Sequence, residues 1–352
     1  MSYEDGWAAM NLEMPSRVPR TEYSVTEHWG VIEAVTGLKI EPTSPPALKR
    51  RGALALMEAF NFDFRWSTLI GHGELDACRT DMGHAEYAAG GIDRRDTITC
   101  PFDTPEEALA FDPWEAYGER DLSKLTARFE DHYRHQREET PDMVNMTGVY
   151  ITLVSGLIAI FGWEMLLLAA GTDPERFSAL TDRYASWIQQ YYDALGAADV
   201  PVVMVHDDIV WSAGPFISPA WYRAHVFPNY KRFFAPLLDS GKKIMYTSDG
   251  DYTCFIDDIV DCGVHGFVLE PFTDMATIAE HYGDSHVFIG NADTRILLNG
   301  SREAIRAEVA RCMEIGKACP GFFMAVGNHI PANTPVDNVL AYNEIYESMS
   351  RR

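Results

Sequence analysis

Five stretches in the second half of the chain share one design: a short apolar run, a polar end, then a helical pattern. They are VPVVMVHDD (200–208), KKIMYTSDGD (242–251), GFVLEP (266–271), HVFIGNAD (286–293) and GFFMAVGNH (321–329). A strand that is apolar on both faces must be covered on both faces, which a parallel sheet flanked by helices provides. The segments between fit that role. Ser218 caps a helix with Pro219 at its first position, running toward Leu238. Others run through Asp261 and over Ser301–Ala318. At 352 residues, with this regularity, the expected fold is α/β: a (β/α)8 TIM barrel over residues 47–352 behind an irregular and helical N-terminal extension over 1–46. No GxGxxG turn follows any of these strands, which removes the usual evidence for a dinucleotide fold.

The first half is less regular. Residues up to Pro46 are rich in Pro, Trp and acids, with a short helix around His28–Thr36, and FNFDFRW (60–66) reads as a strand. Pro105–Ala110 starts a helix after Asp103 and Thr104, and Leu122–Arg137 is charged and amphipathic. Val149–Gly171 is long enough to cross a bilayer, but it carries Glu164, Ser155 and Gly156 and lacks close basic flanks. A buried strand, a tight turn and a core helix explain it better. The 29 Lys and Arg against 52 Asp and Glu leave a formal net charge of −23. That argues against nucleic acid and against an anionic membrane surface as partners, and is compatible with a partner carrying a basic docking face. Six cysteines, none in a CxxC pair, are no disulfide scaffold. The N-terminus has no apolar signal region, so a reduced, cytoplasmic setting is expected.

In a (β/α)8 barrel the chemistry sits at the C-terminal strand ends. Here those ends carry His206, Asp207 and Asp208; Thr247, Ser248 and Asp249; Glu270; Asn291 and Asp293; Asn328 and His329. His206, Asp249 and His329 directly follow apolar strands and are expected to point into the mouth. Histidines and carboxylates converging there can hold a divalent metal or do acid–base work. For Asp207, Asn291 and Asp293 a role in satisfying rim loops weighs equally. His265 and His286 precede their strands and belong at the barrel bottom; His225 and His281 lie on helices. His132 and His135 are expected on a solvated face. Cys254, Cys262, Cys312 and Cys319 read as small buried hydrophobes within helices. Trp163, Trp211 and Trp221 belong to core or rim, with Trp211 placed to line a planar ligand's pocket.

At these residues the sequence resembles the uroporphyrinogen decarboxylase superfamily, a (β/α)8-barrel group that also contains methyltransferases of cobalamin-dependent systems. The matching stretches are DDIVWSAGPFISPAWYRAHVFPNYK (207–231), GKKIMYTSDGD (241–251), GNADTRILLNGSREAI (290–305) and GNHIPANTPVDNVLAY (327–342), with PSRVPR (15–20) as the family's N-terminal entry. The decarboxylase branch has an arginine-glutamine-alanine-glycine-arginine run that anchors the substrate's carboxylates. This chain lacks it, with Arg17, Arg20, Arg50 and Arg51 the nearest basic residues, although His329 matches that branch's late histidine. The coenzyme M methyltransferase branch binds zinc through a His-x-Cys pair and a later Cys. Those positions read Thr247, Asp249 and Asn328 here.

What remains resembles the corrinoid-linked demethylases, which pass a methyl group from a methyl ether or similar donor to Co(I) on a separate corrinoid protein. The resemblance implies catalytic roles for His206, Asp208, Asp249 and His329, and substrate contacts from Trp211, Thr247, Asn291 and Asn328. His206, Asp249, Glu270 and His329 are the implied ligands of a metal, zinc being the expected one. The partners implied are a corrinoid (methylcobalamin-carrying) protein, a small methylated and in the first instance methoxy-aromatic substrate, and a second copy of the chain in a homodimer. The alternatives are a decarboxylase, or a barrel that binds tetrapyrrole or corrinoid without turnover.

Overall fold

The computed structural model describes residues 1–76, 78–81 and 99–352. Its strands are Phe64–Arg65 (β1), Val144–Asn145 (β2), Thr147–Val149 (β3), Val202–His206 (β4), Val210–Trp211 (β5), Gly214–Pro215 (β6), Lys243–Thr247 (β7), Gly266–Val268 (β8), Val287–Ile289 (β9) and Phe322–Phe323 (β10). Six of them form one parallel sheet in the order β10-β9-β8-β7-β4-β3. β1 pairs in parallel with β2, which runs into β3 across the single residue Met146.

Residues 19–21 join the two edges. The Met324 N–H donates to the Pro19 carbonyl at 2.8 Å, and the Thr21 N–H donates to the Met324 carbonyl at 3.2 Å. On the other side the Asp63 N–H donates to the Arg20 carbonyl at 3.0 Å, and the Val144 N–H to the Asp63 carbonyl at 2.9 Å. Backbone hydrogen bonds therefore run round a complete ring: residues 19–21, β1, β2–β3, β4, β7, β8, β9 and β10. The expected TIM barrel is the observed fold, with β5 and β6 as a small antiparallel hairpin beyond the end of β4.

Side chains alternate across this wall with the period of a strand. Val202 and Met204, Met245, Val268, Val287 and Ile289, and Phe323 pack in the barrel interior. Their neighbours Val203 and Val205, Ile244 and Tyr246, Phe267, Phe288, and Phe322 pack outward against the helices. Ala9 and Met10, on the helix Tyr3–Met10, join the interior cluster from the end where the strands begin. Gly6 lets that helix approach, since a Cβ there would lie 2.5 Å from the Asp63 carbonyl oxygen. The N-terminal segment is therefore no appendage: it supplies the barrel's plug and one of its wall strands.

Some expected elements change shape for local reasons. The helix expected from Pro219 toward Leu238 is two, Pro219–His225 and Phe227–Asp239, because Pro228 has no N–H to donate back and disfavours helical backbone just before it. The apolar helix Val154–Thr172 passes the length and composition test for a membrane span. It is kinked at Gly162 (φ 68°, ψ 166°), its first half is buried in the core, and Glu164 is exposed. Each half is too short to cross a bilayer. His132 is not on a solvated face: its Nδ1 lies 2.8 Å from Thr147 Oγ1 and its Nε2 3.2 Å from Ser67 Oγ. Cys254 is exposed, whereas Cys262, Cys312 and Cys319 are buried.

Closure depends on a charge taken out of water. Arg20 points outward from residues 19–21 and is fully buried, donating to Glu22 at 2.8 Å and to Asn343 at 2.5 Å. Its guanidinium lies 4.6–5.6 Å from the ring centres of Phe60, Phe62, Tyr342 and Tyr346. Glu22 is completed by the Tyr342 hydroxyl at 2.8 Å and the Val326 N–H at 3.0 Å. Removing one partner leaves the other charge buried alone. Arg20→Met is therefore expected to cost about 3–5 kcal/mol in urea unfolding, and the double variant Arg20→Met with Glu22→Leu distinctly less.

Candidate functional site

The alternation that fills the barrel also builds its mouth. Continuing each inward column by two residues leads from Phe64 to Trp66, from Met204 to His206, from Met245 through Thr247 to Asp249, and from Val268 to Glu270. From residues 19–21 and from β3 the same step arrives at Tyr23 and Tyr150. All of these line one cavity of about 130 Å³, with Gly327, Asn328 and His329 closing the side after β10. A second hollow of about 240 Å³ adjoins it, sharing Glu270, Asn328 and His329.

His206 is the best-defined group. Its ring stacks on Tyr150, with centres 3.8 Å apart and planes 9° apart. Nδ1 donates to the Tyr150 carbonyl at 3.1 Å, which leaves Nε2 facing Asp208 Oδ1 at 3.2 Å. Burial by itself pushes the imidazole pKa down, but the Asp208 carboxylate, helped by Asp249 and the Tyr150 carbonyl, outweighs it and holds the pKa at about 9. Asp208 also accepts from the Asp249 N–H at 2.9 Å.

Asp249 is exposed to the cavity yet lies close to other carboxylates. Burial raises its pKa well above the ordinary range, and repulsion from Asp208 and Glu270 adds to that, against the pull of His206 and Asn328. Burial raises Glu270 as well, opposed by hydrogen bonds from Asn328 and from the Gly250 N–H at 2.6 Å.

His206, Asp208 and Asp249 can each present a ligand atom within 4.8 Å of the others. One imidazole and two carboxylates suit a divalent cation of hard or borderline character. The Nδ1–H bond to the Tyr150 carbonyl is the outer contact that orients a metal-binding histidine. The residues present therefore fit a metal. The four-residue set expected from the sequence is brought together in part: Asp208 belongs to the compact set, while Glu270 and His329 line the same cavity outside it.

Other expected site residues have different neighbours. Thr247 and Asn328 are on the cavity wall. Asn291 is buried and turned away, donating to the Glu270 and Thr273 carbonyls, each at 3.2 Å, and accepting from Arg311 at 3.0 Å. Trp211 is exposed on the β5–β6 hairpin, packed near Trp163 and Phe216, and lines no wall of this cavity. Asp207 faces outward into the core, receiving the Tyr230 hydroxyl at 2.5 Å and the Ser155 N–H at 2.6 Å; burial lifts its pKa to about 6. Asp293 caps the helix Thr294–Asn299. Tyr23, Trp66 and Tyr150 were not singled out from the sequence. Their only signal is parity, since each falls two residues beyond an inward position of a strand only two or three residues long.

A closed ring of parallel strands with acids and histidines at its C-terminal mouth is the (β/α)8 barrel in the form enzymes use. The family Uroporphyrinogen decarboxylase (URO-D) matches residues 130–349, and the chain belongs to this family. A protein named uroporphyrinogen decarboxylase from Chromohalobacter salexigens is 28% identical over 229 residues, 62% of either chain. One of the same name from Syntrophotalea carbinolica is 26% identical over 165 residues, 47% of this chain and 46% of that protein. The chain thus aligns with less than two thirds of the length of these relatives. Among solved structures, a methyltransferase from Methanosarcina mazei superposes with a TM-score of 0.64 at 19% identity, covering 97% of this chain and 96% of that one. That likeness extends the shared fold over nearly all of the described residues.

The His206–Asp208 pair makes a titration prediction. The folded-state pKa is raised from 6.5 to about 9, so the stability the pair contributes is complete below 6.5 and is lost as pH rises through about 9. In chelator-treated protein, NMR of the His206 ring should show that high value. Asp208→Asn should bring it down, because burial then acts with less opposition.

Proposed function

We propose that this chain is the substrate-side methyltransferase of a corrinoid-dependent demethylation system, moving a methyl group from a small methylated donor to Co(I) of a separate corrinoid protein. The observation that supports this reading is the chemistry of the cavity wall. Its described lining includes His206, Asp249, Glu270 and His329 and no lysine or arginine. A tetrapyrrole bearing many carboxylates would find there one imidazolium already paired with Asp208, and otherwise acids. Arg17 and Arg20, the arginines nearest the place of the decarboxylase's anchoring run, are engaged elsewhere: Arg17 bonds Asp63 at 2.6 Å, and Arg20 bonds Glu22.

In this reading His206, Asp208 and Asp249 hold the divalent ion, zinc being the expected one. Such an ion, if bound, would supply Lewis-acid polarisation of a lone-pair atom on the donor. The protein's own residues do the rest. The Tyr150 carbonyl fixes the His206 ring, and Asp208 ties His206 to the Asp249 backbone. Glu270 and Asn328, bonded to each other, orient the donor, and His329 at the rim handles a proton. The nucleophile comes from the corrinoid partner docked over the mouth, so no covalent catalysis by the chain is required.

A carboxy-lyase is the second reading, favoured by the names of the curated relatives and by His329 beside the cavity. Coproporphyrin formation from uroporphyrinogen would decide for it.

Metal analysis of purified protein should find one tightly held divalent ion per chain, lost in the double variant His206→Ala, Asp249→Ala with the fold intact by circular dichroism. Methyl transfer to Co(I), followed by the corrinoid's visible spectrum, should fall at least roughly 100-fold in Asp249→Ala, the scale of removing one preorganised electrostatic group. Wild-type turnover in that variant overturns the assignment.

A further inference from the structure

Part of the cavity wall is aromatic. Tyr23, Trp66 and Tyr150 all line the cavity, with Trp66 set edge-on to Tyr23 at 4.8 Å between ring centres. Asp249 and Glu270 line the same space. Arg295, in the adjoining hollow, is held by Asp293 at 2.6 Å. Two hydroxyls on this wall have no hydrogen-bond partner although their oxygen atoms are buried: Tyr23 Oη and Thr247 Oγ1, the latter on a residue only 8% exposed.

We propose that this cavity takes a small quaternary ammonium cation with a short polar arm. The inference rests on the methyl-transfer reading only in making that cation the methyl donor.

Three physical arguments converge. Aromatic rings attract a desolvated cation through their faces, and methylated ammonium groups present apolar methyls to those faces together with diffuse positive charge. Glu270, outside the metal-binding set, would lose water and gain no counter-charge if sealed under an uncharged ligand, a cost that an ammonium removes. Buried hydroxyls with no protein partner call for one from a ligand, and a hydroxyl or carboxylate on the arm supplies it. A quaternary nitrogen has no lone pair for a Lewis acid, so a divalent ion would act on the polar arm, and the chemistry balances without a proton donor. The methyl–nitrogen bond breaks with its electron pair staying on nitrogen, the electron pair of Co(I) makes the new bond to the methyl carbon, and a neutral tertiary amine leaves.

The test is isothermal titration calorimetry of the full chain with choline and with 3,3-dimethyl-1-butanol, which has the same shape and no charge. Choline is expected to bind at least roughly tenfold tighter. Glu270→Gln should narrow that ratio by weakening choline more than the neutral isostere, and Trp66→Leu should weaken choline at least roughly tenfold. Equal binding of the two ligands, or no binding of either, overturns the inference. Methyl transfer to Co(I) from a methoxyarene, with no choline binding, overturns this inference and leaves the methyltransferase reading standing. Choline binding with no methyl transfer from any donor does the reverse.

Discussion

A ring of short parallel strands holds a mouth in shape only if every edge is paired, and in this chain the pairing turns on residues 19–21. Their backbone bridges Met324 on one side and Asp63 on the other. So short a stretch cannot hold its place by its own ladder bonds. What holds it is Arg20, driven outward into a socket of four aromatic rings and neutralised by Glu22. The C-terminal helix Val336–Met349 supplies Tyr342, Asn343 and Tyr346 to that socket. The two ends of the chain thus meet at the seam, and the barrel closes because a charge inside the protein has one place where it is satisfied.

Once the ring is closed, the period of two decides what faces the mouth. Strands two to five residues long leave room for one or two inward apolar residues before the column reaches solvent. The next inward position is where a polar or aromatic side chain meets the cavity. His206, Asp249, Glu270, Tyr23, Trp66 and Tyr150 arrive there for this one reason. Gathering acids in so confined a space would be costly, and backbone donors offset part of it: the Asp249 N–H serves Asp208, and the Gly250 N–H serves Glu270. The remaining imbalance is visible in the raised pKa values of Asp249 and Glu270. A bound cation, whether metal or ammonium, relieves that strain directly.

Polar residues at strand ends are not all part of this mouth. Asp207 is one residue from His206, which puts it on the other face, where it ties Tyr230 and the helix starting at Val154 to the outside of the barrel. Asn291 and Arg311 lock the loop after β9. Trp211 sits on the hairpin β5–β6, which carries it away from the barrel axis.

The sequence by itself determined the architecture of residues 200–329, since apolar runs with polar ends leave a parallel barrel as the natural solution. It also determined that His206, Asp249, Glu270 and His329 would share one mouth. It could not place Tyr23, Trp66 or Tyr150, because β1, β2 and β3 are too short for alternation to stand out and residues 19–21 pair only with partners far along the chain. Nor could it separate Asp208, which joins His206, from Asn291, which does not. That distinction depends on which hydrogen-bond partners the loops bring within reach, and only the closed barrel brings them there.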